Sequence, residues 1–207
     1  MLIGFVGLPM SGKTTLAAKL FAFLKENGFT SEMIVEQARV YIAKKRKTEN
    51  LTFRDKVTLT DDDQKAIFKR QRAMERTIVE TNSPKTYIIS DSSIINTLLY
   101  CSDELYPNLK EQVIEDMSIY DMVFYCHPFT ENYEEADPNR VHSNEQIKGL
   151  GSRADSILEL LKNNHKGRFK FCEIMGVHSI ETRSNEVQII ACETYMNFLN
   201  TVAIEDL

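Results

Sequence analysis

Gly7-Leu8-Pro9-Met10-Ser11-Gly12-Lys13-Thr14 reads G-x-x-x-x-G-K-S/T, and its flanks decide what it is. Before it runs Met1-Leu2-Ile3-Gly4-Phe5-Val6, an apolar stretch that suits a buried strand. After it, Leu16, Leu20, Phe23 and Leu24 recur at helical spacing, and Asn27-Gly28 signals the helix end. Strand, glycine-rich turn and helix together are the arrangement of a phosphate-binding loop. Four fixed letters match by chance in roughly one chain in a hundred of this length, and the strand and helix lower that further.

The spacing has a chemical reason. Gly7 and Gly12 permit backbone conformations that a side chain hinders, so amide N–H groups can turn inward onto phosphate oxygens. A helix opening near Lys13 adds its N-terminal partial positive charge. Lys13 has the reach for β- and γ-phosphates, and the Thr14 hydroxyl is a ligand for Mg²⁺. Gly7, Pro9, Ser11, Gly12, Lys13, Thr14 and Thr15 are therefore the candidate nucleotide contacts, with ATP and Mg²⁺ as the implied cofactors. A guanine-reading N-K-x-D motif is absent, since Asn163-Asn164-His165-Lys166 does not supply it, and this favours ATP over GTP.

The 207 residues suit one domain with a substantial core, residues 1–207. A composition 43% hydrophobic and 27% charged is that of an ordinary soluble protein. The net charge of -5 gives no general attraction to nucleic acid or anionic membrane, although a local basic patch remains compatible with it. No apolar run approaches 18 residues, so no membrane span is expected. The N-terminal apolar run lacks a basic lead and flows into the loop, which reads as a core strand and not a signal peptide. Cys101, Cys126, Cys172 and Cys192 form no C-x-x-C pair, which argues against a zinc site or disulfide framework and fits a reducing cytoplasm. His127, His142, His165 and His178 share no ligand spacing and read as structural or solvated.

Further strands are expected at Glu32–Val35, Thr86–Asp91, Asp121–Cys126 and Phe169–Ile174. Helices are expected from Glu36, from Thr60 to about Thr81, from Ser92 through Leu99, from Pro107 to about Ile119, and from Glu181 to about Asn200. Ile67, Phe68, Gln71, Met74, Ile78 and Val79 would form the inner face of the long helix. In the last helix Val187, Ile190, Ala191, Tyr195 and Leu199 would do so. The alternation predicts an α/β chain of the three-layer P-loop NTPase type: a five-stranded parallel sheet with helices on both faces.

Three features along the chain bear on chemistry. Glu36 lies at a strand's carboxyl end, where open α/β sheets hold ligands, and Arg39 follows on the same helix side. They are either substrate contacts or a surface ion pair. Asp91 ends the third strand, the place of a Mg²⁺-associated carboxylate in phosphate-loop proteins, and a helix N-cap role is compatible with that. Residues 130–163 turn polar and acidic and then helical, carrying Arg140 and Arg153. This is either a closing lid that brings positive charge to a transferring phosphoryl group or an exposed loop with solvated arginines. The basic run Lys44-Lys45-Arg46-Lys47 reads as a solvated helix end, with an anionic contact as the sharper alternative.

Taken together the chain resembles the nicotinamide riboside kinase domain of NadR-type proteins and related P-loop kinases over nearly its whole length. Glu36-Gln37-Ala38-Arg39-Val40-Tyr41-Ile42 resembles the segment after their second strand, and Ser90-Asp91-Ser92-Ser93 with Asn96-Thr97-Leu98-Leu99-Tyr100 the segment after the third. Asp137-Pro138-Asn139-Arg140 is similar to the acidic loop before the lid helix, and Gly176 with Arg183 to the stretch near the adenine pocket. The resemblance implies that Asp91 holds Mg²⁺ or orients the acceptor hydroxyl, that Glu36 and Arg39 face the acceptor, and that Arg140 and Arg153 stabilise the phosphoryl group. Ser93 stands where the family has a second acid and Ser92 where it has Thr or Arg, and no separate adenylyltransferase domain is expected within the 207 residues. The expectation is an ATP-dependent kinase in the cytoplasm (the host's, if the source is viral) acting on a hydroxyl of a nucleoside, nucleotide or related small molecule. Two other readings stand beside it: a phage-type kinase of hydroxymethyl-pyrimidine in DNA, for which the basic run would support a strand, and a non-enzymatic nucleotide-binding switch.

Overall fold

The computed structural model describes residues 1–52, 55, 57–129 and 149–205, with side chains to residue 196. Five strands, β1 (Leu2–Val6), β2 (Ser31–Ile34), β3 (Tyr87–Ser90), β4 (Met122–Cys126) and β5 (Lys170–Ile174), form one sheet in the order β2-β3-β1-β4-β5. Every pairing is parallel, with Ile3 opposite Ile89 on one side and Met122 on the other. The helices are α1 (Lys13–Glu26), α2 (Gln37–Thr48), α3 (Asp61–Thr81), α4 (Tyr106–Asp116), α5 (Gly151–Asn164) and α6 (Ile180–Glu205). The expected α/β P-loop NTPase architecture is present.

Strand alternation builds two cores. Ile3 and Phe5 of β1, Tyr87 and Ile89 of β3 and Phe124 of β4 pack with Leu16, Leu20 and Leu24 of α1 and Val187, Ala191 and Tyr195 of α6. Leu2, Val6, Ile88, Val123 and Tyr125 face the other way, onto Phe68 of α3, Leu109 and Val113 of α4, and Ile157 and Leu161 of α5. Central strands buried on both faces read as continuous apolar runs, which is why β1 and β4 stand out in the sequence.

Local differences from the sequence reading have physical causes. Ile94–Leu99 is a 3₁₀ helix and not an α-helix. Thr97 Oγ1 donates to Ile94 O at 2.6 Å and Asn96 Nδ2 to Ser92 Oγ at 2.8 Å, so side chains compete with regular α-helical bonding there. The helix expected to reach Ile119 ends at Asp116 and tightens into a 3₁₀ turn, Met117–Ile119. Val35 lies outside β2 and is exposed. On α3, Met74 is exposed while its neighbour Glu75 is fully buried. The inner stripe is Gln64, Ile67, Phe68, Gln71 and Glu75.

Glu75 is buried because its carboxylate is satisfied. Ser90 Oγ and Gln71 Nε2 donate to Oε1 at 2.6 and 2.9 Å, and Tyr120 donates its hydroxyl to Oε2. Burial nevertheless pushes its pKa up to about 7, the hydrogen bonds from Ser90, Tyr120 and Gln71 opposing the shift. The native state then holds a proton that the unfolded chain releases above its ordinary Glu pKa of 4.5. Stability is therefore fully present below that value and falls as pH rises to about 7, by about 3 kcal/mol from this group. Denaturant unfolding of the wild type and Glu75→Gln between pH 4.5 and 8 checks this, with the slope over that window expected to flatten in the variant.

Candidate active site

The phosphate loop joins β1 to α1. Gly7 has φ 145° and Gly12, the N-cap of α1, has φ 82°. Met10 also lies in the left-handed region, at φ 67°, a conformation that costs about 1–3 kcal/mol and concentrates at functional sites. Asn96 holds the start of the loop: its Oδ1 accepts from Gly7 N at 3.1 Å, while its Nδ2 donates to Phe5 O at 3.2 Å. Lys13 Nζ donates to Leu8 O at 2.7 Å, folding the side chain back over the loop. Thr14 and Thr15 are exposed, Pro9 is half-buried, and Ser11 is fully buried with its hydroxyl unpaired among the described residues.

Two carboxylates face this loop. Glu36, the N-cap residue of α2, accepts from Arg39 Nε at 2.8 Å, and Arg39 Nη2 lies 3.4 Å from Thr14 Oγ1. Asp91 follows β3, fixed by its backbone N–H on Ile34 O at 3.1 Å. Burial raises the Asp91 pKa, an effect that Glu36 reinforces and that Thr14, Arg39 and Lys13 oppose. Burial lowers the Lys13 pKa, with Glu36, Cys126 and Asp91 opposing. The fold thus gathers Lys13, Thr14, Glu36, Arg39 and Asp91 into one electrostatically linked group. The parallel sheet explains this: the chain leaves β1, β2 and β3 at the same edge.

Asp91 Oδ1 is buried without a hydrogen-bond partner among the described residues. That oxygen and the nearby Thr14 hydroxyl are hard donors, and Mg²⁺ typically takes one or two protein oxygens and completes its shell with phosphate and water. The residues present fit that ion. No cluster of three or more His, Cys, Asp or Glu suited to a metal occurs among the described residues.

A shallow open cleft that Glu36 lines is completed by Ala38, Gln64, Ile67, Gln71, Ser92, Ser93, Asn96, Thr97 and Tyr100. Gln71 is committed to the scaffold: its Oε1 accepts from Gln37 N at 3.0 Å and its Nε2 donates to Glu75 and Ser90. The glutamines of α3 are not evident as site residues from spacing alone. Their one signal is polarity on an otherwise apolar stripe.

The remaining candidates lie elsewhere. Arg153 pairs with Asp103 and stacks over the Tyr106 ring at 4.1 Å, which sets it on the α4–α5 side of the fold. Residues 130–148 of the expected lid, with Arg140 and His142 among them, lie outside the described residues. Residues 151–163 form most of α5, with Ile157 and Leu161 buried. Gly176 packs against the backbone leaving β4: a Cβ there would lie 1.8 Å from Pro128 O and 2.8 Å from its carbonyl carbon. Gly176→Ala is expected to cost about 1–3 kcal/mol, read as a lowered denaturation midpoint. Of the basic run, Lys45 bonds Asp63 at 2.8 Å and Arg46 bonds Thr52 O, so both serve the helix end. His127 contacts Glu173 at 2.9 Å and His165 stacks on Phe171.

The fold agrees with what comparison finds. Residues 2–165 match the family described as an AAA domain, and the chain belongs to that family. No curated protein matches the chain. Among solved structures it is similar to thymidylate kinase from Candida albicans, with TM-score 0.64 and 18% identity over 94% of this chain and 92% of that one. It is also similar to deoxyadenosine kinase from M. mycoides, with TM-score 0.50 and 17% identity over 98% of this chain and 100% of that one. At these identities the likeness is one of fold. No helix among the described residues is long and apolar enough to cross a membrane.

Proposed function

We propose that this protein is a kinase that transfers the γ-phosphoryl group of ATP to a hydroxyl of a nucleoside, nucleotide or similar small molecule. The observation that carries the reading is the placement of Glu36, Arg39 and Asp91 opposite Lys13 and Thr14, with Glu36 also lining the open cleft between α2, α3 and the segment after β3. A simple nucleotide switch has no need of a second cleft beside its phosphate loop. The fold it shares with a thymidylate kinase and a deoxyadenosine kinase is consistent with this reading. The resemblance to NadR-type domains makes nicotinamide riboside one acceptor to test. Residues 1–207 are taken as one kinase domain, with 130–163 as its lid segment, Arg140 within it and α5 as its anchor in the core.

Phosphoryl transfer asks the protein for positioning and charge neutralisation more than for covalent chemistry. In this reading the loop amides and the α1 N-terminus seat the phosphates, and Gly7, Pro9, Ser11, Gly12 and Thr15 shape that seat. Lys13 releases Leu8 O and swings onto the β- and γ-phosphates. Thr14 and Asp91 would hold Mg²⁺, which when bound neutralises phosphate charge. Glu36, held by Arg39, accepts a hydrogen bond from the acceptor hydroxyl and points its oxygen toward the γ-phosphorus. Gly176 keeps the β5–α6 turn close to the β4 exit, beside the nucleotide.

The test is ADP formation with Mg·ATP across a panel of nicotinamide riboside, nucleosides, nucleoside monophosphates and hydroxymethyl-pyrimidine DNA. Turnover is expected with one class of small acceptor. Asp91→Ala should lower it about 10²-fold or more, the scale of losing one preorganised charge contact. Tight ATP binding with no acceptor-dependent turnover across the panel would count against the kinase reading.

A further inference from the structure

Arg183, in the first turn of α6, is fully buried, and its guanidinium serves the phosphate loop. Nη2 donates to Ser11 O at 2.8 Å and to His127 O at 3.1 Å. One side chain thus bridges the loop after β1 and the segment leaving β4. The guanidinium also lies over the Phe129 ring at 4.5 Å, a cation–π contact. Around it, Ile180 Cδ1 and the Phe129 ring close on Gly12, at 3.2 and 3.3 Å from where a Cβ would stand.

What Arg183 lacks is a countercharge in direct contact. It forms no ion pair among the described residues, and its Nε and Nη1 are buried without hydrogen-bond partners there. The Cys126 thiol beside it is itself pushed up to about 11 by burial, so it is neutral near pH 7. Burial draws the Arg183 pKa down, with Cys126 and then Glu186 opposing. A buried cation held by two carbonyls, a ring and a neutral thiol, with no carboxylate in ion-pair contact among the described residues, is costly, and a bound anion would offset that cost.

We infer that Arg183 is a positioning residue for nucleotide: it fixes the phosphate loop through Ser11 O, and its buried charge is offset by the polyphosphate that the loop binds. The inference rests on the loop binding a nucleotide, as the proposed function requires, and not on the identity of the acceptor. Because the guanidinium works through the loop's backbone, its contribution scales with the number of phosphates on the ligand. A residue needed only for packing would weaken all adenine ligands alike or none.

The test is calorimetric binding of adenosine, AMP, ADP and ATP, with Mg²⁺, to wild type, Arg183→Met and Arg183→Lys. Arg183→Met is expected to lose about 10- to 100-fold in ATP affinity while adenosine changes by less than about twofold. Arg183→Lys, which keeps charge but not the two-carbonyl bridge, should fall between. Equal losses for adenosine and ATP, or an unchanged ATP affinity in folded Arg183→Met, would overturn the inference. Amide hydrogen exchange on the wild type covers the case in which both variants fail to fold. Mg·ATP, but not adenosine, should slow exchange at the loop around Ser11 and at the first turn of α6 together, and protection confined to the loop would overturn the coupling. A wild type that binds no ATP would instead remove the kinase reading itself.

Discussion

Lys13→Ala is expected to reduce acceptor-dependent turnover about 10²- to 10³-fold, the scale of removing one preorganised donor from a developing anion. The fold should survive. Without ligand, Lys13 makes one hydrogen bond to a carbonyl of its own loop, Leu8 O, worth about 1 kcal/mol. In a chain of 207 residues that corresponds to a melting shift of about 2–4 °C. The ammonium is also partly desolvated, as its lowered pKa records, so its removal gives back some of the cost of burial. The measurement is kcat and KM for ATP beside a thermal melt. A variant that keeps near-normal turnover would remove Lys13 from the transfer step, whatever its effect on KM.

Gly7→Ala should behave differently, striking stability and nucleotide binding together. Gly7 has φ 145°, a region open in practice to glycine alone, and a Cβ there would stand 2.3 Å from Cys126 O and 3.0 Å from Ser11 Oγ. The carbonyl belongs to a central strand and cannot yield without disturbing the β1–β4 pairing. Strain and overlap together should cost about 2–6 kcal/mol. The N–H of Gly7 also binds Asn96 Oδ1, so a displaced loop loses its tie to the segment after β3. Chemical denaturation with and without Mg·ATP separates the two effects: a lowered midpoint without ligand, and a smaller ligand-induced rise. A midpoint within 1 °C-equivalent of wild type, roughly a few tenths of a kcal/mol, would show that the loop relaxes freely.

Much of this architecture is legible in sequence because its signals are local. The β1 run, the G-x-x-x-x-G-K-T stretch and the helical spacing of Leu16, Leu20 and Leu24 lie within two dozen residues and encode strand, loop and helix directly. Asp91 and Glu36 are legible as site candidates because each ends an apolar strand, and parallel strands deliver their ends to one edge. The misread face of α3 has the opposite cause. Met74 looks like core and Glu75 like surface by residue type, yet Tyr120 and Ser90 supply the hydrogen bonds that let Glu75 turn inward. Arg153 carries the right charge for a lid, but Asp103 and Tyr106 are where it lies.

By itself, then, the sequence determined the phosphate loop, the alternation of strand and helix, and the edge of the sheet where chemistry belongs. Those follow from periodicity and spacing along the chain. Tertiary structure alone decided the cleft wall that α3 contributes, the locking of Gln71 into the scaffold, and the reach of Arg183 to Ser11 across 172 residues. The physical reason is that Arg183 is satisfied by backbone carbonyls, which every residue possesses. A carbonyl partner leaves no mark in residue type, and only the packing of α6 against α1 brings it within reach.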